Sequence, residues 1–116
     1  MKNKEYITFM KMIEYIDKAK QYTKGYTFEE FSNDDKTIDA TVFSISQIGE
    51  LVKNISKEII EKHDGIEWNM IKGLRNRIVH DYEGISLKSI WYILHNDIDK
   101  LREDIQKIIE MEKIED

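Results

Sequence analysis

The sequence contains no cysteine and no proline, and only 5 glycines among its 116 residues. Without cysteine the chain can form neither a disulfide nor a thiolate metal site, which fits a reducing compartment and an expected cytoplasmic location. Without proline it lacks the strongest helix breaker. No apolar run approaches the roughly 18 residues needed to cross a bilayer. No long apolar core follows residues 1–6, so neither a membrane span nor a signal peptide is expected. A basic excess is missing as well: 23 Asp and Glu against 18 Lys and Arg leave a formal net charge of -5. That balance argues against sequence-blind binding of duplex nucleic acid over a broad face, while leaving room for a small basic cleft.

What is present suits one helical domain spanning residues 1–116. Hydrophobic residues make up 41% and charged residues 35%, enough for a core and a solvated helical surface. Tyr6, Phe9, Met10, Ile13, Ile16 and Ala19 follow the helical period, predicting a first helix from about Lys4 to Tyr22. Gly25 suits a left-handed stop. Thr27-Phe-Glu-Glu30 matches a capping box and opens a short second helix. After the turn and cap cluster Ser32-Asn-Asp-Asp35, the stripe Ile38, Val42, Ile45, Ile48, Val52, Ile55 and Ile59 predicts a long third helix ending near Lys62. Gly49 lies inside it, at a cost of about 1 kcal/mol relative to Ala, and close helix packing explains a residue with that cost.

His63-Asp-Gly65 turns the chain, with His63 expected in solvent. A fourth helix is predicted over Glu67 to Val79, burying Trp68, Ile71, Leu74 and Ile78. A second turn at Asp81-Tyr-Glu-Gly84 leads to a last helix opening at Ser86 or Leu87. Its seam is Trp91, Leu94, Ile98, Leu101, Ile105 and Ile108. Trp68 and Trp91 are expected as core anchors, His95 on a polar face, and Asp97, Asp99, Glu103 and Asp104 on a solvated one. No segment alternates strictly as a strand does. The expected fold is an all-α antiparallel bundle of four main helices plus one short helix.

The stretch Gly73-Leu-Arg-Asn-Arg-Ile-Val-His-Asp-Tyr82 stands out. From Trp68 to His80 the chain carries Lys72, Arg75 and Arg77 and no acidic residue. A histidine titrates near neutral pH and can move a proton to or from a hydroxyl. An arginine stays charged and grips phosphate oxygens with paired donors. Together they suit attack of a ribose 2′-hydroxyl on its own phosphate, with developing charge stabilised and no metal or cofactor needed. On one straight helix Asn76 and His80 share a face with Lys72, but Arg75 and His80 diverge by about 140°. The helix must therefore end before His80, or two protomers must bring paired motifs together across a two-fold axis; both can hold. Plainer roles also fit: His80 as a helix C-terminal cap, Arg75 and Arg77 as surface charges, and Tyr82 as a ring pinning the turn.

This stretch resembles the R-x-x-x-x-H-x-Y signature of HEPN-domain ribonuclease toxins of the HepT type. Ile48-Gly49-Glu50, Trp68-x-x-Ile71-x-Gly73 and Trp91-x-Ile93-x-x-Asn96-Asp97 are similar to further recurring features of that family, and the resemblance covers nearly the whole chain. It implies a homodimeric helical bundle whose paired motifs line a cleft at the dimer interface and act as a metal-independent RNase. Arg75 and His80 would be the catalytic pair and Asn76 a supporting polar residue, with Lys72 and Arg77 available to RNA. It also implies a type VII toxin–antitoxin pair. In such a pair a nucleotidyltransferase antitoxin of the MntA type transfers AMP to the motif tyrosine, here Tyr82, placing bulk and negative charge beside the cleft. The competing reading is a noncatalytic helical module that binds a nucleotide or completes a nucleotidyltransferase complex.

Overall fold

The computed structural model describes residues 1–78 and 86–115. Among these the chain is helical, in the order α1 (Asn3–Tyr22), α2 (Phe28–Ser32), α3 (Asp35–Leu51), α4 (Lys57–Lys62), α5 (Trp68–Lys72), α6 (Leu87–Tyr92) and α7 (Ile98–Met111). Residues 74–78 are also helical. Three helices are long, α1, α3 and α7; the others span five or six residues. The expected all-α class is therefore observed, with its helices cut into more pieces than four main and one short. One isolated parallel bridge joins Lys2 to Glu115.

Most local signals act as the sequence implies. Gly25 takes φ 79°, the left-handed conformation that a residue without Cβ enters at no steric cost. Thr27 Oγ1 accepts from the Glu30 amide at 3.1 Å, and Glu30 Oε1 accepts from the Thr27 amide at 3.0 Å, a complete capping box. Asp34 caps α3 through the Thr37 amide (3.1 Å) and also accepts from the Tyr26 hydroxyl (2.8 Å).

The predicted third helix does not run to Lys62. It ends at Leu51, tightens into a 3-10 turn over Val52–Asn54, extends at Ile55 (φ -90°, ψ 132°) and restarts as α4. Ser56 is the reason. Its hydroxyl caps the Ile59 amide at 3.3 Å, and its own amide donates to Glu5 Oε2 of α1 at 2.8 Å. A hydroxyl that caps is worth more than one inside a helix, and the amide freed by the break finds a buried acceptor 51 residues away. Ile55 within the break and Ile59 after it both stay in the core.

Glu5 is only 4% exposed, and its other oxygen accepts from the Lys2 amide at 3.3 Å. Burial pushes its carboxyl up, but hydrogen bonds from Ser56 and Lys2 and the N-terminal charge together hold it below 4.5. Its stabilising effect is therefore complete above that ordinary value and is lost as pH falls through the depressed one. Glu5→Ala, which orphans two amides, is expected to cost about 1–3 kcal/mol at neutral pH. Urea unfolding should show the gap from wild type narrowing once the pH drops below 4.5.

Two further expectations are corrected. His63 is not solvated: its side chain is 11% exposed, with Nε2 3.4 Å from Glu112 Oε2 at the end of α7. Lys62 reaches the same oxygen at 2.9 Å, and the hydrogen bond from Lys62 leads the causes that hold the Glu112 carboxyl low against its burial. Trp91 is not a fully buried anchor. It lies half-buried, with its ring against Phe31 (centroids 5.1 Å), Phe28 (6.0 Å) and His95 (4.2 Å). Trp68 is buried as expected, its indole N–H donating to the His63 carbonyl at 2.9 Å.

The last helix also carries a feature that its seam did not show. A π-helical turn over Ile93–Asp97 joins α6 to α7. The wide turn weakens the usual backbone ladder, and side chains take up its carbonyls: His95 Nδ1 lies 2.9 Å from the Trp91 carbonyl, Asn96 Nδ2 donates to that of Tyr92 at 2.9 Å, and Lys20 Nζ to that of Leu94 at 3.3 Å. Ile93 and Leu94, both within this turn, are fully buried in the core. On the solvated face two of the carboxylates form surface ion pairs, Asp99 with Lys20 and Asp104 with Lys100.

Candidate active site

The site is built where α3 crosses the helical stretch that carries the cationic island. Trp68, Ile71, Leu74 and Ile78 are all buried, so they fix the roll of this stretch and turn the residues between them outward. Gly73 (φ -81°, ψ -5°) keeps the right-handed conformation, its amide donating to the Asn69 carbonyl (3.0 Å) and its carbonyl accepting from Arg77 (2.9 Å). The helix predicted from Glu67 is divided: α5 ends at Lys72, Gly73 forms a turn, and residues 74–78 are helical again. Gly49 is where α3 meets it. A Cβ there would sit 3.1 Å from the Ile71 carbonyl oxygen and 3.2 Å from the Arg75 nitrogen, so the close packing expected of Gly49 is observed, backbone against backbone.

At this crossing lies a cleft of ≈ 330 Å³ bordered by Glu50 and Lys53 from the α3 side, and by Asn69, Lys72, Arg75 and Asn76 from the other. Three of the residues singled out in the sequence, Lys72, Arg75 and Asn76, thus share one concavity. Arg77 is directed elsewhere: its guanidinium lies 4.0 Å from Asp97, at the end of the π-helical turn. Two positions apart on a helix differ by about 200°, which is why Arg75 and Arg77 part. His80 and Tyr82, with the turn predicted at residues 81–84, lie outside the described residues.

Glu50 belongs to the cleft, although the sequence offered it only as part of the Ile48-Gly49-Glu50 resemblance, with no role. Its Oε1 stands 3.2 Å from Arg75 Nε and its Oε2 3.0 Å from Lys53 Nζ. The hydrogen bond from Lys53, with the charges of Lys53 and Arg75, holds this carboxyl below the usual carboxylate value despite partial burial. Lys53, Lys72 and Arg75 against a single carboxylate leave the cleft net cationic in an acidic protein, the charge balance that favours a phosphate. Among the described residues no cluster of three or more His, Asp or Glu side chains is arranged to hold a metal ion, and no helix is long and apolar enough to cross a membrane.

Comparison with known proteins adds independent information. A family model described as "Ribonuclease HepT-like" matches residues 12–108. A protein of Caldanaerobacter subterraneus subsp. tengcongensis named "Putative RNase" is 38% identical over 90 residues, covering 78% of this chain and 80% of the relative. A Methanocaldococcus jannaschii protein of the same name is 33% identical over 98 residues (84% and 81%). The "Probable ribonuclease HepT" of Thermococcus cleftensis is 30% identical over 95 residues (82% and 86%). No solved structure matches the chain significantly.

Proposed function

Because the chain belongs to the HepT-like ribonuclease family, we propose that it is a metal-independent endoribonuclease whose catalytic pair is Arg75 and His80. The observation that carries this reading is the cationic cleft in which Lys72, Arg75 and Asn76 meet. Arg75 offers a planar set of donors to the non-bridging oxygens of the scissile phosphate, where charge grows as the reaction proceeds. Lys72 attracts the neighbouring backbone, and Asn76 orients the phosphate or the ribose. His80 takes the proton from the 2′-hydroxyl. The 2′-oxygen bonds to phosphorus, the bond from phosphorus to the 5′-oxygen breaks, and the departing oxygen receives a proton. The products are a 2′,3′-cyclic phosphate and a 5′-hydroxyl. In a homodimer, the second copy's motif would supply that proton.

The same reading makes the chain the toxin of a type VII toxin–antitoxin pair, restrained by an MntA-type nucleotidyltransferase that adenylylates Tyr82. An AMP group on the phenol would set a phosphate charge beside a cleft built for phosphate and oppose RNA entry.

The test is cleavage of a broad RNA pool in EDTA by protein expressed without a neighbouring nucleotidyltransferase and shown by intact mass to be unmodified. Cleavage by the wild type and none by His80→Ala is the expected result. An unmodified wild type that binds a nucleotidyltransferase tightly and leaves all RNA intact would replace this reading with the noncatalytic module. Activity that survives in His80→Ala would remove that residue from the mechanism.

A further inference from the structure

We propose that Gly49 and Glu50 form a positioning device for Arg75: the glycine brings the α3 backbone against the backbone of Arg75, and the carboxylate that follows holds the guanidinium by one edge. The inference deepens the ribonuclease reading and rests on it for its functional meaning, though not for its geometry.

Two observations made on different atoms converge on one residue. At Gly49 the space that a Cβ would need is taken by the Ile71 carbonyl oxygen, 3.1 Å away, and the Arg75 nitrogen, 3.2 Å away. Both are backbone atoms and cannot swing aside. The helix that carries Arg75 is therefore set at contact distance from α3 at that residue's own amide. Glu50, one position on, reaches Arg75 Nε at 3.2 Å. Its other oxygen is held by Lys53 at 3.0 Å, one turn further along, so the carboxylate is itself anchored.

The pair does little for folding. The Arg75 and Glu50 side chains are 56% and 34% exposed, and ion pairs so exposed add little to stability. Their effect lies in geometry. A free arginine side chain samples many rotamers, and each must be given up when phosphate binds. An ion pair at Nε restricts those rotamers beforehand, and the guanidinium's further donors would then be left to a phosphate. A carboxylate in a phosphate-binding cleft would otherwise only repel the ligand. Its presence beside the one arginine of the proposed catalytic pair is explained by holding that arginine in place.

Two measurements on the full chain test the proposal. The first needs no activity: nitrogen-15 relaxation of the Arg75 Nε–Hε group, assigned by its loss in Arg75→Lys. The expected result is a rigid group in the wild type and a mobile one in Glu50→Ala; equal mobility in both overturns the proposal. The second is single-turnover RNA cleavage. Glu50→Ala is expected to lose at least about tenfold in kcat, with Glu50→Asp recovering part of it. Glu50→Ala combined with Arg75→Ala should be no slower than Arg75→Ala alone, because Glu50 acts through that arginine. Additive losses, or a Glu50→Ala enzyme with wild-type kcat, overturn the proposal. A wild type that cleaves no RNA overturns the ribonuclease reading instead, and the relaxation comparison then decides the positioning of Arg75 by itself.

Discussion

Arg75→Ala is expected to slow RNA cleavage by about 10²–10³-fold, the range seen when one donor to a developing oxyanion is removed, while leaving the fold intact. The two halves of that expectation have separate grounds. The loss follows from chemistry: charge accumulates on the non-bridging oxygens as the 2′-oxygen attacks, and a fixed guanidinium is the strongest side-chain donor in the described cleft. The intact fold follows from exposure. The Arg75 side chain is 56% accessible and its partner Glu50 34%, so removing the pair should cost no more than about 1 kcal/mol. Arg75→Lys should recover little, since an ammonium keeps the charge but loses the planar pair of donors. Cleavage kinetics and thermal melts of the same preparations check both halves. An Arg75→Ala enzyme of undiminished rate would take Arg75 out of the mechanism. A large drop in its melting temperature would make it a structural residue.

Phe9→Ala is expected to do the reverse, removing stability while leaving the chemistry. Phe9 is fully buried, and its ring lies 6.4 Å from that of Trp68, centroid to centroid, inclined by 48°. It therefore ties α1 to the start of the stretch that bears the cleft. Truncating a buried phenylalanine leaves a cavity and costs about 3–5 kcal/mol, or roughly 10–20 °C in melting temperature for a domain of this size. Phe9→Leu should cost clearly less, because it refills most of the volume. Below its melting transition the Phe9→Ala protein should still cleave RNA, since none of the residues bordering the cleft comes from α1. Calorimetry and an assay at low temperature separate the two effects. A melting temperature unchanged in Phe9→Ala would mean that α1 does not brace this stretch.

How much could be read in advance depends on how far each cause acts along the chain. The Thr27–Glu30 capping box and the left-handed Gly25 depend on residues within a turn or two of each other, and each is found where its pattern lies. The α1 stripe holds at Phe9, Ile13, Ile16 and Ala19, but Met10 is exposed and Met12 is buried in its place. Burial of Trp68, Ile71, Leu74 and Ile78 follows from helical period alone. Lys72 and Asn76, which the period sets on one face, meet in the cleft together with Arg75, whereas Arg77, grouped with them in the sequence as part of one cationic island, turns to Asp97 instead.

Only the tertiary structure could decide what depends on atoms far apart in the chain. The break after Leu51 required the buried Glu5 carboxylate to receive the Ser56 amide, and no local pattern links those positions. The π-helical turn drew one of its side-chain donors from Lys20, 74 residues from Leu94. His63 reads as a solvated turn residue until Glu112 packs against it. Glu50 has no role in the sequence reading until Gly49 lets two backbones touch and Arg75 stands within 3.2 Å of it. Periodicity and capping report the short-range balance of burial and hydrogen bonding, so they determined the helical class and the cationic face by themselves. Ion pairs and backbone contacts between helices form only after packing, so which charges meet in the cleft belonged to the tertiary structure.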